Sequence, residues 1–279
     1  KAPAAISVAL IQPVTPPVIR REDTAALQRV AATLEQLATS ATQSHRCDLI
    51  VFAESAAPMG YQFGYNPQFR ELYEELARRS GAAVLTENTH TRRDEGGHLR
   101  YWRGTLLLRP DGTLAGEYLK RRLVPFGESL PLGNTFPVLK RLFSRVRHYE
   151  RGTEFPRLEA AGVSLVPQIC FEMLDSPQVR RYVKTVEGQL LINPVNDAWY
   201  GSVRQMRQHL SLAAWRTVEL RRPMVRVGNT GMSAVISATG QIAGPVSPSG
   251  RPWADVRQVP ISAARTDSFY ARFGDMFGW

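Results

Sequence analysis

The chain has 279 residues, of which 43% carry hydrophobic side chains, and a net charge of +10, enough apolar material for a full core. Two widely spaced cysteines, Cys47 and Cys170, exclude a disulfide scaffold or thiolate zinc site, and five histidines in no ligand spacing predict no metal. No segment reaches the ~18 consecutive apolar residues of a membrane-spanning helix, and the positive charge fits either an anionic partner or a solvated arginine-rich exterior.

In chain order, residues 6–12 read as a strand that follows the first few residues directly, with no signal-peptide pattern before it. Residues 23–44 form an amphipathic helix, with Leu27, Val30, Leu34 and Leu37 at spacings of three and four. A strand over 48–54, a helix over 67–80 and a strand over 82–88 follow. Segments 104–109 and 114–120 flank Pro110-Asp111-Gly112, a hairpin signal. Beyond these come a strand at 163–171, a helix at 176–187, a strand at 189–194 and a long helix at 202–221. Strand-like runs at 225–229, 233–238 and 241–246 complete the pattern. Strands alternating with helices, plus hairpins, predict a mixed-sheet α/β fold, and the absence of a linker or repeat predicts one domain over 1–279. Residues 139–148 break the rhythm. Lys140, Arg141, Arg145 and Arg147 interleave with Leu139, Leu142, Phe143 and Val146, a pattern that suits an anionic membrane surface or a helix packed inward on its apolar side.

Lys120 stands out because arginine is otherwise the preferred cation: the chain has four lysines among its 35 Lys and Arg residues, and Lys120 is followed at once by Arg121 and Arg122. A lysine is a compact ammonium sensitive to burial, whereas arginine is a wide fork that keeps its proton. Glu54, Lys120 and Cys170 each end a strand-like run, and in open α/β sheets such ends converge on sites. A carboxylate that takes a thiol proton, a thiolate that attacks a carbonyl and an ammonium that steadies the oxyanion make a nucleophilic centre. Taken singly, Cys170 also reads as a buried inert hydrophobe, Lys120 as a snorkelling surface lysine and Glu54 as a partner for an arginine.

The segments Phe52-Ala53-Glu54-Ser55-Ala56, Tyr118-Leu119-Lys120 running through Val124-Pro125-Phe126-Gly127-Glu128, Gln168-Ile169-Cys170-Phe171-Glu172 and Asn196-Asp197-Ala198-Trp199-Tyr200-Gly201 carry a family resemblance. So do Gln208-His209, Glu219 to Pro223, Gly228-Asn229-Thr230-Gly231 and Tyr270 to Asp275. Together they resemble the nitrilase (carbon–nitrogen hydrolase) superfamily, and within it most nearly the catalytic domain of the apolipoprotein N-acyltransferase family. The resemblance implies an α/β four-layer α-β-β-α sandwich and a triad of Glu54 as base, Lys120 as stabiliser of the tetrahedral intermediate and Cys170 as nucleophile. It implies support from Glu128 and Glu172, substrate contacts from Phe171, Asn196 and Trp199, and no cofactor. Two bland readings stand beside these roles: Trp199 filling the sheet–helix interface and Glu172 salt-bridged to an arginine.

The reaction implied is transfer of a fatty acyl chain from a phospholipid, through a Cys thioester, to the α-amino group of a lipoprotein's N-terminal cysteine, at the outer face of the bacterial inner membrane. A soluble amidase with the same triad is the alternative; a nucleic-acid-binding role is not supported, because no recognition motif accompanies the basic charge. Relatives in the superfamily often pair, and the oligomeric state is left open. The family carries membrane helices on both sides of this domain. A start at Lys1 and an end at Trp279 therefore suggest a domain taken from a longer membrane protein, with a soluble relative as the other reading. Tyr101-Trp102-Arg103 replaces the family's usual Tyr-Asn, which predicts a changed substrate side. Cys170 is expected to react faster than Cys47, as the more accessible and more thiolate-prone thiol.

Overall fold

The computed structural model describes residues 4–16, 19, 22–57, 67–131, 138, 141, 148–261 and 267–276. The first strand, β1 (Ala5–Gln12), is buried on both faces, and its alternation assigns each face a different partner. Ile6, Val8 and Leu10 join a core with Val163, Leu165 and Leu190, while Ala9 and Ile11 pack with Leu34, Ala38 and Tyr73. The first core lies between two sheets and the second under two helices.

The first sheet has the order β12-β1-β2-β3-β4-β5, with β2 at Leu49–Phe52, β3 at Ala83–Arg93, β4 at Leu99–Leu108, β5 at Leu114–Leu119 and β12 at Trp253–Pro260. The second has the order β11-β10-β9-β8-β7-β6, built from β6 (Leu158–Ala160), β7 (Val163–Pro167), β8 (Leu190–Val195), β9 (Met224–Gly228), β10 (Ala234–Ile236) and β11 (Ile242–Ala243). Each sheet has a parallel centre, β1-β2-β3 in one and β7-β8-β9 in the other, with antiparallel strands outside it. Helices α1 (Thr24–Ser44) and α2 (Pro67–Ser80) cover the first sheet. Helices α3 (Ser176–Val186) and α4 (Val203–Leu220) bury Val179, Tyr182, Val183, Leu210 and Ala213 on the second. This is the expected four-layer α-β-β-α sandwich.

Several boundaries move. Asp23 is not helical but caps α1, its side chain accepting the Ala26 N–H at 2.9 Å. The expected strand at 163–171 ends at Pro167, and Cys170–Leu174 coil into a tight 3-10 turn. The β3–β4 hairpin runs much further out than expected, to Arg93 and Leu99, because charged side chains tolerate its solvated end. Strands β6 and β12 and the short helix α5 (Phe269–Phe273) were not anticipated. Apart from Arg141 and His148, the basic segment 139–148 lies outside the described residues. Among the described residues no helix is long and apolar enough to cross a membrane.

Candidate active site

The parallel centres of both sheets aim their carboxyl ends at one place, as open α/β sheets do. From the first sheet come Glu54, two residues beyond β2, and Lys120, the residue after β5. From the second come Cys170, three residues beyond β7, and Asn196, the residue after β8. Glu54, Lys120, Glu128, Cys170, Glu172 and Asn196 are all buried. Backbone strain gathers here too: Ser55, Phe126 and Cys170 have φ of 58°, 60° and 49° without being glycine. Each such residue costs on the order of 1–3 kcal/mol and persists only where its surroundings impose it.

Lys120 is fully buried, and its Nζ donates to Glu128 Oε1 at 2.8 Å and stands 3.5 Å from Glu54 Oε1. Burial works against the ammonium, yet Glu54 and Glu128 outweigh it and raise the Lys120 pKa, so the side chain stays charged. Arg103, from β4, completes the group, its guanidinium 3.5 Å from Glu54 Oε1 and 3.6 Å from Glu128 Oε1. Two carboxylates and two cations thus alternate around a small ring. The other oxygen of each carboxylate is held by backbone: Glu54 Oε2 accepts the Asn196 N–H at 3.0 Å and Glu128 Oε2 the Val124 N–H at 2.9 Å. Burial pushes the Glu128 carboxyl up, but Lys120 and Arg103 hold it below its ordinary value. Gly152 lets a neighbouring loop lie against this strand end. Its N–H donates to Lys120 O at 2.8 Å, and a Cβ there would meet Leu119 O at 2.2 Å.

The Cys170 thiol is pushed up, first by burial and then by Glu54; Lys120 and the Asn196 N–H pull the other way and lose. The expectation of a thiolate-prone cysteine is therefore corrected: Cys170 rests as a thiol and needs a base. Cys47, raised by burial to about 11, is also a thiol. Glu172 ties the turn at Cys170 to the loop after Lys120. Its Oε1 accepts from Tyr118 Oη at 2.8 Å, Arg121 N–H at 2.7 Å and Arg122 N–H at 3.0 Å, and its Oε2 accepts the Ile169 N–H at 2.9 Å. It binds the backbone of Arg121 and Arg122, so the arginine salt-bridge reading does not hold among these contacts.

A cavity of about 750 Å³ opens among the neighbouring loops, lined by Phe171, Leu123, Leu130, Tyr149, Arg122 and Arg151 among others; Glu54, Lys120 and Cys170 do not line it. Trp199 is 60% exposed, which rules out its reading as a filler of the sheet–helix interface. Asn196 is buried, with its Nδ2 unpartnered. Among the described residues, no group of three or more His, Cys, Asp or Glu could hold a metal ion.

The carbon–nitrogen hydrolase family profile matches residues 7–268. The chain belongs to the carbon–nitrogen hydrolase family. The chain is 32% identical to an apolipoprotein N-acyltransferase of Geobacter metallireducens over 90% of its own length and 47% of the relative's. To that of Photobacterium profundum it is 34% identical, over 70% of its length and 38% of the relative's. It therefore spans less than half the length of these curated relatives. Among solved structures, an amidase of the nitrilase superfamily from Nesterenkonia superposes with a TM-score of 0.66 at 16% identity, covering 92% of each chain, a likeness of fold.

Two charged residues of this buried cluster were not named as site residues from sequence. Arg103 was noted only as a departure from the family, and Glu87, on β3, was read as part of a plain strand. The available signal was phase: Glu87, Arg103 and Thr105 share the sheet face of Leu85, Leu107 and Tyr118, which looks into the core. Charges on that face cannot be solvated. A second network supports the Asn196 turn: Arg226, wholly buried, donates to Asp197 Oδ2 at 2.6 Å and to Asn193 Oδ1 at 2.7 Å. His209 Nδ1 lies 2.9 Å from Asp197 Oδ1.

Proposed function

We propose that this carbon–nitrogen hydrolase is the catalytic portion of an apolipoprotein N-acyltransferase, with Glu54, Lys120 and Cys170 as its triad. The observation that carries the reading is the fully buried Lys120 ammonium, 3.5 Å from Glu54 and 2.8 Å from Glu128, in a loop that Glu172 joins to the Cys170 turn. The names of relatives at 32–34% identity supply the substrate class.

In the first half-reaction Glu54 takes the Sγ proton and Sγ attacks the ester carbonyl carbon of a phospholipid. The carbonyl oxygen gains a negative charge that the Lys120 ammonium stabilises. The C–O bond breaks, and the departing alkoxide leaves as the lysophospholipid hydroxyl with the proton held by Glu54. In the second half the α-amine of a lipoprotein N-terminal cysteine attacks the thioester. Glu54 takes a proton from nitrogen, the C–S bond breaks and Sγ is reprotonated. Glu128 holds Lys120, Glu172 holds the turn of the nucleophile, and Phe171, Asn196 and Trp199 contact the substrates. The donor sets the place of reaction at an anionic membrane surface, on the outer face of the inner membrane, and its chain needs a dry pocket so that amine outruns water.

The test is intact-mass detection of an acyl adduct after incubation with phospholipid in detergent, followed by addition of a diacylglyceryl-cysteine peptide. The expected result is an adduct on Cys170 that the peptide discharges as an amide. Discharge by water alone at the same rate would favour the amidase, and no adduct, or an adduct that survives Cys170→Ala, would overturn the assignment.

A further inference from the structure

The ring of alternating charges contains one member that the triad chemistry does not use. Arg103 takes no proton and, among the described contacts, lies against carboxylates, Ser55 and the Tyr149 ring (5.7 Å to its centroid) rather than against Cys170. Its guanidinium is anchored at one end by Glu87 Oε1, through a direct charge-assisted hydrogen bond, and by Ser55 Oγ at 3.2 Å. Glu87 Oε2 in turn accepts the N–H of Ser55, the left-handed residue that follows Glu54. The same anchored nitrogen, Nη2, stands 3.5 Å from Glu54, and the other, Nη1, stands 3.6 Å from Glu128. Both oxygens it approaches are the same ones that face Lys120. Without Arg103, Lys120 would be the sole described cation between two carboxylates and would be free to draw both inward. With it, each carboxylate is pulled from two sides and from the backbone at its far oxygen.

We propose that Arg103, held by Glu87, is a positioning residue for the acylation step: it keeps Glu54 suspended between Lys120, Arg103 and the Asn196 N–H instead of collapsed onto Lys120. This rests on the proposed function. The planar fork is essential to the idea, because Nη2 meets Glu87, Ser55 and Glu54 while Nη1 reaches Glu128 on the other side. The residues are buried, Arg103 at 6% and Glu87 at 5% exposure, so neither charge is screened by water. Arg103→Gln or Glu87→Gln alone therefore leaves the other's charge buried without its direct partner, whereas Arg103→Lys keeps the charge and removes only the fork.

The experiment follows pre-steady-state acylation by p-nitrophenyl butyrate, a short ester whose nitrophenolate burst reports the first half-reaction whatever the native donor. Arg103→Gln and Arg103→Lys are expected to slow the burst by about 100-fold, the effect of a displacement near 1 Å in a reacting group, with KM for the ester unchanged. Thermal melting should place Glu87→Gln/Arg103→Gln above Arg103→Gln alone, because the double variant leaves no orphaned carboxylate. A wild-type burst rate in Arg103→Lys overturns the inference even if Arg103→Gln fails to fold, since it shows that charge suffices without the fork. A fall in KM-linked binding with the burst rate intact overturns it as well. If the wild-type protein forms no butyryl adduct on Cys170, the proposed function falls, and this inference with it; an adduct whose rate survives both Arg103 variants overturns this inference alone.

Discussion

Lys120 illustrates how much depends on the shape of a charge. Its Nζ sits 2.8 Å from Glu128 and 3.5 Å from Glu54 with no exposed surface. A guanidinium at the same place is wider, and Arg103 already occupies the far side of both carboxylates. Lys120→Arg is therefore expected to keep the charge and lose acyl-adduct formation by about 100-fold or more, read by intact mass with circular dichroism as the fold control. Wild-type adduct formation in that variant would show that a buried positive charge of any shape suffices at this position. Cys170 makes a second prediction, concerning pH. Its pKa is raised, chiefly by burial, so the thiolate fraction at neutral pH lies below that of a free cysteine and grows as pH rises. Alkylation of Cys170 by iodoacetamide, followed by peptide mass, should keep climbing past the pH at which free cysteine levels off. A plateau below neutrality would contradict the resting-thiol description.

The turn Cys170–Leu174 and the loop after β5 are separate pieces of chain joined by one buried carboxylate. Glu172→Ala leaves the Tyr118 hydroxyl and three backbone N–H groups without their acceptor, at about 1–3 kcal/mol for an abandoned buried group. A lowered melting temperature, with acylation impaired, is the expected result. Burial raises the Glu172 pKa, so the folded chain holds its proton more readily than the unfolded chain does. The stabilising share of that group is complete below the ordinary carboxylate range and is lost as pH climbs through the raised value. The advantage of wild type over Glu172→Gln in urea midpoint should thus shrink with rising pH, and a widening gap would reverse the sign assigned here. These loops also mark where reading from sequence stopped. Helices α1 and α2 were legible because Leu27, Val30 and Leu34, or Phe69, Tyr73 and Leu76, repeat at helical spacing. The end of β7 was not, because Ile169 and Phe171 prolong an apolar run after the backbone has turned. Strand β12 alternates only weakly, and α5 has five residues, too few for a period to register. Glu54, Lys120 and Cys170 stood out as chemistry at strand ends. Glu87 and Arg103 did not, since a charge on a strand normally reads as its solvated face.

The whole chain carries 35 basic against 25 acidic residues, and the buried charges include Glu54, Glu87, Glu128, Glu172 and Asp197 against Arg103, Lys120 and Arg226, so the basic excess belongs to the exterior. Such a surface should bind vesicles rich in phosphatidylglycerol more tightly than phosphatidylcholine vesicles, and less tightly as salt rises, since screening shortens to about 10 Å at 0.1 M. Co-sedimentation across a sodium chloride series checks this; binding indifferent to salt and lipid charge would detach the charge from any membrane role. The layered plan has a further implication. Glu54, Lys120 and Arg103 stand on one sheet and Cys170 on the other, so the reach between them is set by how the two sheets seat on each other. A void opened at Leu10 or Leu165, in the packing that joins them, lets one half slip against its neighbour. Turnover then falls although every reacting group and its immediate bonds are untouched, as a pair of scissors with sharp blades cuts badly once its rivet is loose.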